Sequence, residues 1–110
     1  AGINRFASLS LPMDETLTSC SLDVSGRPWL EWRVILPNEK IGGVDSEIFQ
    51  EFFRAFAQSA KMTIHIENNY GSNAHHIIES CFKVLSVCLR NGLSVIERNS
   101  DIIPSTKGVI

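Results

Sequence analysis

Three segments near the start of the chain alternate apolar with polar residues, which is the period of a β-strand. They cover residues 5–11, 17–24 and 29–36. Pro12 is predicted to end the first strand, with Asp14-Glu15 forming a turn after it. The composition of Ser25–Pro28 predicts a second turn. Because short connections usually join neighbouring strands, we expect these three to form an antiparallel meander.

The remainder of the chain changes twice to helical periodicity. From Glu47 to about Ala60 an apolar stripe opposes charged residues, which predicts the first helix. Residues 62–67 alternate again and predict a fourth strand, followed by a polar loop at residues 68–73. A second helix is predicted from about Ala74 to Asn91, with Gly92 ending it.

The resulting order, β-β-β-α-β-α, favours an α+β fold. We expect a four-stranded sheet with two helices on one face and the other face open. At 110 residues the chain is expected to form one domain with a modest core. The open face, and the apolar area around Trp29 and Trp32, predict packing against another copy of this unit.

Charge and composition exclude several classes of partner. A net charge of −2, with both signs mixed along the chain, gives no footprint for nucleic acid or an anionic membrane. No apolar run approaches the roughly 20 residues that span a bilayer, and no signal peptide is visible. Cys20, Cys81 and Cys88 lie in apolar patterns and are expected to be reduced, buried thiols. Since the chain begins Ala1-Gly2 without Met, we expect it to be the trailing part of a longer protein.

Two of the three histidines, His75 and His76, lie side by side at the start of the predicted second helix. Glu79 and Lys83 share the face of His75 at i+4 and i+8, while His76 points about 100° around the axis. Diverging imidazoles suit two ions, or an ion and a substrate, and imidazole with carboxylate suits Mn, Fe or Zn. An exposed histidine pair with no ligand is the alternative, which the spacing leaves open.

Each of the other candidate site residues also has an ordinary structural interpretation. His65, on the polar face of the fourth strand, is either a ligand or a hydrogen-bonded structural histidine. Glu51 is on the polar face of the first helix, where a solvated residue is the ordinary interpretation. Asp14 and Glu15 form either a general acid/base pair or a pair of turn acids.

Anion-binding groups are spread along the chain. Arg5 and Arg27 come from different strand ends or loops, and each is either a ligand contact or a surface charge. Near the C-terminus, hydroxyls, backbone N–H groups and an ammonium are combined in Ser105, Thr106 and Lys107, followed by Gly108. This combination is typical of phosphate binding, although it is not a P-loop.

Taken together and in order, these motifs resemble the C-terminal half of imidazoleglycerol-phosphate dehydratase, a family of histidine-biosynthesis enzymes. The matching segments are Gly2–Phe6, Pro12–Glu15, Asp23–Pro28, Glu51–Phe53, Met62–Ile66, Asn73–Glu79 with Phe82-Lys83, and Pro104–Gly108. The resemblance implies an internally duplicated fold. Residues 1–93 would be one half-domain, and residues 94–110 a tail with a phosphate-binding loop.

The resemblance also implies a site with two Mn ions, to which each half contributes one His-His-x-x-Glu motif. In this half the implied ligands are His75, His76 and Glu79. A further ligand, often histidine in the family, is Glu51 here, and a carboxylate oxygen also suits Mn. His65 matches a frequent family histidine that is not expected to bind metal.

The implied reaction removes water from imidazole-glycerol phosphate to give imidazole-acetol phosphate. The residues at substrate-contacting positions are Arg5, Arg27, Lys83, Ser105, Thr106 and Lys107. Asp14 is the acid/base candidate near the reacting carbons, and Glu79 is expected to take part in catalysis as well as in metal binding. The glutamate expected to act as base belongs to the N-terminal half, outside this sequence.

We therefore expect a companion, either the N-terminal half of the same protein or a separate chain, within a highly symmetric homo-oligomer. The family works in the cytoplasm, or in the plastid of plants. A non-catalytic metal-binding or assembly module that keeps the half-fold is the alternative from a different class.

Overall fold

The structure is a computed structural model that describes the backbone of residues 6–105 and the side chains of residues 6–92. Its elements in chain order are β1 (Phe6–Met13), β2 (Thr16–Asp23), β3 (Trp29–Arg33), β4 (Lys40–Ile41), β5 (Val44–Asp45), α1 (Ser46–Ala60), β6 (Thr63–Tyr70) and α2 (Ala74–Ser105). Four of the strands form a mixed sheet in the order β1-β2-β6-β3, and β4 pairs with β5 in a small hairpin. The fold is α+β, as the sequence predicted.

The predicted meander is right for β1 and β2 and wrong for β3. β3 runs parallel to β6, which lies between it and β2. β6 is a central strand with a neighbouring strand on each side, and its Ile64 and Ile66 are completely buried. The long connection from β3 to β6, which includes α1, supplies the crossover that a parallel pair requires.

The turn between β1 and β2 is as tight as the sequence suggested. Met13 pairs with Thr16, so Asp14 and Glu15 are the only two residues between them. Asp14 adopts a left-handed backbone with φ of 51°, which aspartate tolerates better than most residues. Pro12 does not end β1: it pairs with Leu17, because β1 is an edge strand that can dispense with a backbone donor.

The helix α2 is longer than predicted. It continues through Gly92 to Ser105, so the predicted helix end at residue 91 is wrong. Gly92 is instead a packing residue, since a Cβ there would lie 3.4 Å from the Cβ of Ala7 in β1. Within the part of the chain that the structure describes, no helix is long and apolar enough to cross a membrane.

Both helices cover the same face of the sheet. The core between the layers joins Cys20 and Leu22 of β2, Ile64 and Ile66 of β6, Phe53 and Ala57 of α1, and Cys81, Val84, Leu85 and Cys88 of α2. The three cysteines are free and buried, as predicted, and burial raises the pKa of the Cys81 thiol to about 12. In a smaller cluster, Ile41 of the β4–β5 hairpin packs against Ala74 and Ile78 at the start of α2. The sequence pattern did not predict this hairpin.

The opposite face of the sheet is open and largely polar. Hydroxyl pairs cross it, with Ser8 and Ser21 at 2.9 Å and Ser10 and Ser19 at 2.8 Å. Large apolar side chains are also exposed, some at the edge of the sheet and others elsewhere on the surface: Phe6, Trp29, Ile35, Val44, Ile48, Phe52 and Tyr70. Packing against another copy stays a prediction.

Candidate metal and substrate site

The start of α2 is fixed by Asn73, which precedes its first residue. The Asn73 side-chain oxygen accepts a hydrogen bond from the backbone N–H of His76 at 3.1 Å. Its carbonyl accepts from the N–H of Ile77 at 2.9 Å. These are the contacts of an N-cap, and they set the two histidines into the first turn of the helix.

His76 faces the β1–β2 turn. Its Nδ1 lies 2.6 Å from Oε1 of Glu15, and its Nε2 lies 3.7 Å from Oδ2 of Asp14. The histidine ring is half-buried, while the Asp14 side chain is 76% exposed. The structure thus joins the Asp14-Glu15 pair to the histidine motif, although 61 positions separate Glu15 from His76 in the chain.

Glu15 is held at both of its carboxylate oxygens. Oε2 accepts hydrogen bonds from the backbone N–H groups of Ser72 and Asn73, at 3.1 and 3.0 Å. The hydrogen bond to His76, followed by these backbone donors, lowers the pKa of Glu15 to about 2. In turn, the bond to Glu15 raises the pKa of His76, and the charges of Glu15, Asp14 and Glu79 add to the effect.

His75 points elsewhere. Its ring is near the β4–β5 hairpin, where a Cβ on Gly42 would lie 3.7 Å from the His75 Cε1 atom. It lines a cavity of about 240 Å³ together with Asn38, Lys40, Ile41, Ser72, Asn73 and Ala74. The two imidazoles therefore diverge, as the helical spacing predicted.

Glu79 and Lys83 form an exposed ion pair on α2, with 3.3 Å between Oε2 and Nζ. Lys83 also lines a separate shallow cavity of about 330 Å³ with Leu11, Phe82, Ser86, Val87 and Arg90. The predicted alignment of His75, Glu79 and Lys83 agrees with the helical register, but the carboxylate of Glu79 turns towards Lys83.

Three candidates lie apart from this group. Glu51 is exposed on α1 and pairs with Arg54 at 3.0 Å. His65 is on the open face of the sheet, in a cavity with Glu31, Arg33 and Glu67, away from both helices. Arg27 follows β2 at the end opposite the Asp14-Glu15 turn, about 23 Å away at the usual rise per strand residue.

The C-terminal candidates are only partly described. Ser105 is the last residue of α2, and its side chain lies outside the described residues. Arg5, Thr106 and Lys107 lie outside the described residues altogether. Their assignment as substrate contacts stays a prediction, as does the separate tail at residues 94–110.

The potential metal ligands among the described residues suit part of a shared metal site, because they do not form a complete site by themselves. Among the described residues, no three His, Cys, Asp or Glu side chains converge to hold a metal ion. His76 nevertheless has the arrangement common to metal-binding histidines, one ring nitrogen hydrogen-bonded to a carboxylate and the other directed away from it. His75 and Glu79, both exposed nearby, are donor types that suit a metal ion, but with His76 they do not form a complete ligand set among the described residues.

The sequence missed the bond between Glu15 and His76 and the role of Asn73 as the cap. Asn73 could have been identified from its position directly before the helix. The Glu15 contact has no local signal, since it depends on how the β1–β2 turn meets the loop before α2.

Comparison with known proteins matches the chain over nearly its whole length. The family model described as imidazoleglycerol-phosphate dehydratase (IGPD) matches residues 1–89. The IGPD of Rhodopseudomonas palustris is 51% identical over 108 residues, which cover 98% of this chain and 55% of that protein. The IGPD of Agrobacterium fabrum is 50% identical over 109 residues, covering 99% and 55%.

Solved structures give the same result. The Staphylococcus aureus IGPD has a TM-score of 0.74 and 45% identity, over 77% of this chain and 50% of that one. The Pyrococcus furiosus IGPD, crystallised with (S)-C348, has a TM-score of 0.72 and 37% identity, over 78% and 48%. The chain spans about half the length of the curated relatives it matches.

Proposed function

The chain belongs to the imidazoleglycerol-phosphate dehydratase family, and from that premise we propose that it supplies half of a site that dehydrates imidazole-glycerol phosphate in histidine biosynthesis. The single observation that carries this proposal is the arrangement at the start of α2. There, His75 and His76 diverge, and Asp14 and Glu15 meet His76. A half-site is consistent with a chain about half as long as its relatives.

The residues that would hold two Mn ions are His75, His76 and Glu79. Glu51, which lies apart from these three in one copy and pairs with Arg54, would be a further carboxylate ligand in the site of a neighbouring unit. Neutral imidazoles and carboxylates form a suitable donor set for this metal. Because the two imidazoles point apart, each would serve a different ion. The missing ligands would come from the His-His-x-x-Glu motif of the N-terminal half.

The glutamate expected in the N-terminal half would take the proton from the carbon next to the imidazole ring of the substrate, and metal ions held at this site would supply stabilisation of the negative charge that develops on the ring. Asp14 is exposed and close to His76, so its carboxyl group can deliver a proton to the departing hydroxide. The resulting enol then becomes a ketone. Glu79, which pairs with Lys83 in this structure, would bind a metal ion, and Lys83 would then neutralise charge on the phosphorylated substrate.

The phosphate of the substrate would also contact other candidate residues of this chain. Arg5, Arg27, Ser105, Thr106 and Lys107 are the candidates, and guanidinium, ammonium and hydroxyl groups suit a phosphomonoester. Arg27 lies at the far end of the sheet from His76, so one copy cannot place both against the same small substrate. We therefore propose that neighbouring units of a cytoplasmic homo-oligomer complete each site.

A non-catalytic metal-binding or assembly module is the second candidate. It requires only the half-fold, and the described residues contain no three converging ligands that would form a metal centre within this chain alone. The two candidates differ in what happens when the N-terminal half is added, because only the dehydratase gains turnover.

The test combines the chain with its N-terminal half and measures Mn binding by calorimetry, then turnover of imidazole-glycerol phosphate. We expect His75→Ala and Glu79→Ala to remove bound Mn and activity together. Glu67→Ala is the matched control, since Glu67 is exposed on the open face of the sheet. Unchanged Mn binding in both site variants would refute the ligand assignment. Mn binding without turnover in the wild-type assembly would support the non-catalytic module instead.

A further inference from the structure

We infer that Glu15 is a positioning residue that fixes the tautomer of His76, keeping the proton on Nδ1 and leaving Nε2 bare. The distance of 2.6 Å between Nδ1 and Oε1 requires a hydrogen between the two atoms. An ionised carboxylate can only accept, so a neutral His76 must donate from Nδ1.

The carboxylate cannot turn away, because its other oxygen is already engaged. Oε2 accepts from the backbone N–H groups of Ser72 and Asn73. These two donors belong to the loop that leads directly into the helix bearing His76. The loop, the β1–β2 turn and the histidine ring are thus fixed relative to one another by one side chain.

The opposite nitrogen of the ring is open. Nε2 lies 3.7 Å from Oδ2 of Asp14, beyond hydrogen-bonding distance. A bare Nε2 with a carboxylate on Nδ1 is how proteins orient histidines for metal binding and increase their basicity. That consequence rests on the proposed function, whereas the tautomer itself does not.

The two adjacent histidines are consequently not equivalent. Within the described residues, His75 makes no side-chain hydrogen bond or ion pair, and its ring can adjust when a ligand arrives. His76 is oriented before any ligand binds. We therefore expect His76 to contribute more to affinity, and His75 to adapt to the bound geometry.

A purely structural role is the competing explanation: the contact would tie the β1–β2 turn to α2 whichever nitrogen carried the proton. Glu15→Gln separates the two, because it keeps the size of the side chain and replaces one acceptor by a donor. Both backbone N–H groups require the amide oxygen, so the amide NH₂ would face Nδ1 and donate to it. The proton would then move to Nε2.

The experiment is NMR of the 110-residue chain with ¹⁵N- and ¹³C-labelled histidine, at a pH where the rings are neutral. We expect Nδ1–H for His76 in the wild type and Nε2–H in Glu15→Gln. Glu67→Gln is the matched control and should leave His76 unchanged, while His75 provides an internal reference. A wild-type His76 with Nε2–H would overturn the inference without any variant, and so would a folded Glu15→Gln that keeps Nδ1–H.

The second measurement is Mn affinity in the assembly with the N-terminal half. We expect Glu15→Gln to weaken Mn binding about 10- to 100-fold, the range found for orienting groups around other metal sites. If the tautomer changes as stated but wild-type protein binds no Mn, the proposed function fails and the role of Glu15 stands. If wild-type protein binds Mn and the tautomer does not respond to Glu15→Gln, the inference fails and the proposed function stands.

Discussion

Thr18 Oγ1 and Ser80 Oγ lie 2.6 Å apart in the buried layer between β2 and α2. Ser80 also donates to the carbonyl of Ile77, one turn earlier in the same helix. On the strand side, Asn68 of β6 donates to the hydroxyl oxygens of Thr16 and Thr18. This polar network fixes the first turns of α2 against the sheet, and therefore fixes the histidines they carry.

Asn68→Ala is expected to destabilise the fold by about 1–3 kcal/mol, because it removes the amide donor that Asn68 offers to the buried hydroxyl groups of Thr16 and Thr18 and to the carbonyl of Leu17. Urea denaturation measures the change in the free energy of unfolding. The matched control is Asn69→Ala, since Asn69 is exposed and accepts one bond from Ser19. The control should change stability by less than about 0.5 kcal/mol. Equal effects for the two asparagines would refute a special role for the network.

Gly71→Ala is expected to destabilise the fold and to disturb Glu15. A Cβ at position 71 would lie 2.7 Å from the Cβ of Thr16 and would also clash with its hydroxyl oxygen. Because Thr16 is buried in a strand, the backbone of the loop must shift, at a cost of about 1–3 kcal/mol. The shift would move the N–H groups of Ser72 and Asn73 that hold Glu15.

The measurements for Gly71→Ala are thermal unfolding and the His76 tautomer by NMR. Ser72→Ala is the control, since it keeps its backbone N–H and has an exposed side chain. We expect the control to leave both quantities unchanged. A Gly71→Ala protein as stable as the control would show that the loop absorbs the methyl group without displacement.

The features of the fold that depend on local sequence patterns could be predicted. Alternation in β2 identified the buried face because Cys20 and Leu22 contact the helices while Ser19 and Ser21 do not. Strand order could not be obtained in this way. β6 pairs with β2 and β3, whose residues are about 30 to 50 positions away in the chain, and no local sequence pattern determines which strands become neighbours.

The same limit applies to the site. Helical spacing predicted that His75 and His76 diverge, because helix geometry alone decides the angle between adjacent side chains. Helical spacing could not predict which residues the side chains of His75 and His76 would contact. The sequence left Glu15 as part of either a general acid/base pair or a pair of turn acids, whereas the structure gives it the central position between the turn, the loop and the helix.

The pairing of Glu15 with His76 should give stability a defined pH window. Glu15 has a lowered pKa, so its contribution is full above about pH 4.5 and is lost as the pH falls towards about 2. His76 has a raised pKa, so its contribution is full below about pH 6.5 and is lost as the pH rises through the raised value. The stabilisation should therefore be greatest between these limits.

Urea denaturation of wild type and Glu15→Gln across acidic to alkaline pH measures this window. We expect the difference in the free energy of unfolding to be largest between about pH 4.5 and 6.5 and to shrink on both sides. Asp14 and Glu79 also act on His76 and remain in both proteins, so their effects cancel in the comparison. A difference that is constant with pH would contradict the assigned ion pair.

Lys83→Ala should separate stability from function. The Glu79–Lys83 pair is exposed on one helix, and such pairs contribute less than about 0.5 kcal/mol. The free energy of unfolding should therefore hardly change. If the Lys83 ammonium contacts the phosphorylated substrate, however, its loss should lower kcat/KM of the assembly by at least about tenfold, since hydrogen bonds to charged groups contribute about 1.5–3 kcal/mol. Arg33→Ala removes a pair with Glu31 on the open face, in which Arg33 is exposed and Glu31 half-buried, and is the control for both measurements. An activity loss no larger than that of Arg33→Ala would exclude Lys83 from the substrate site.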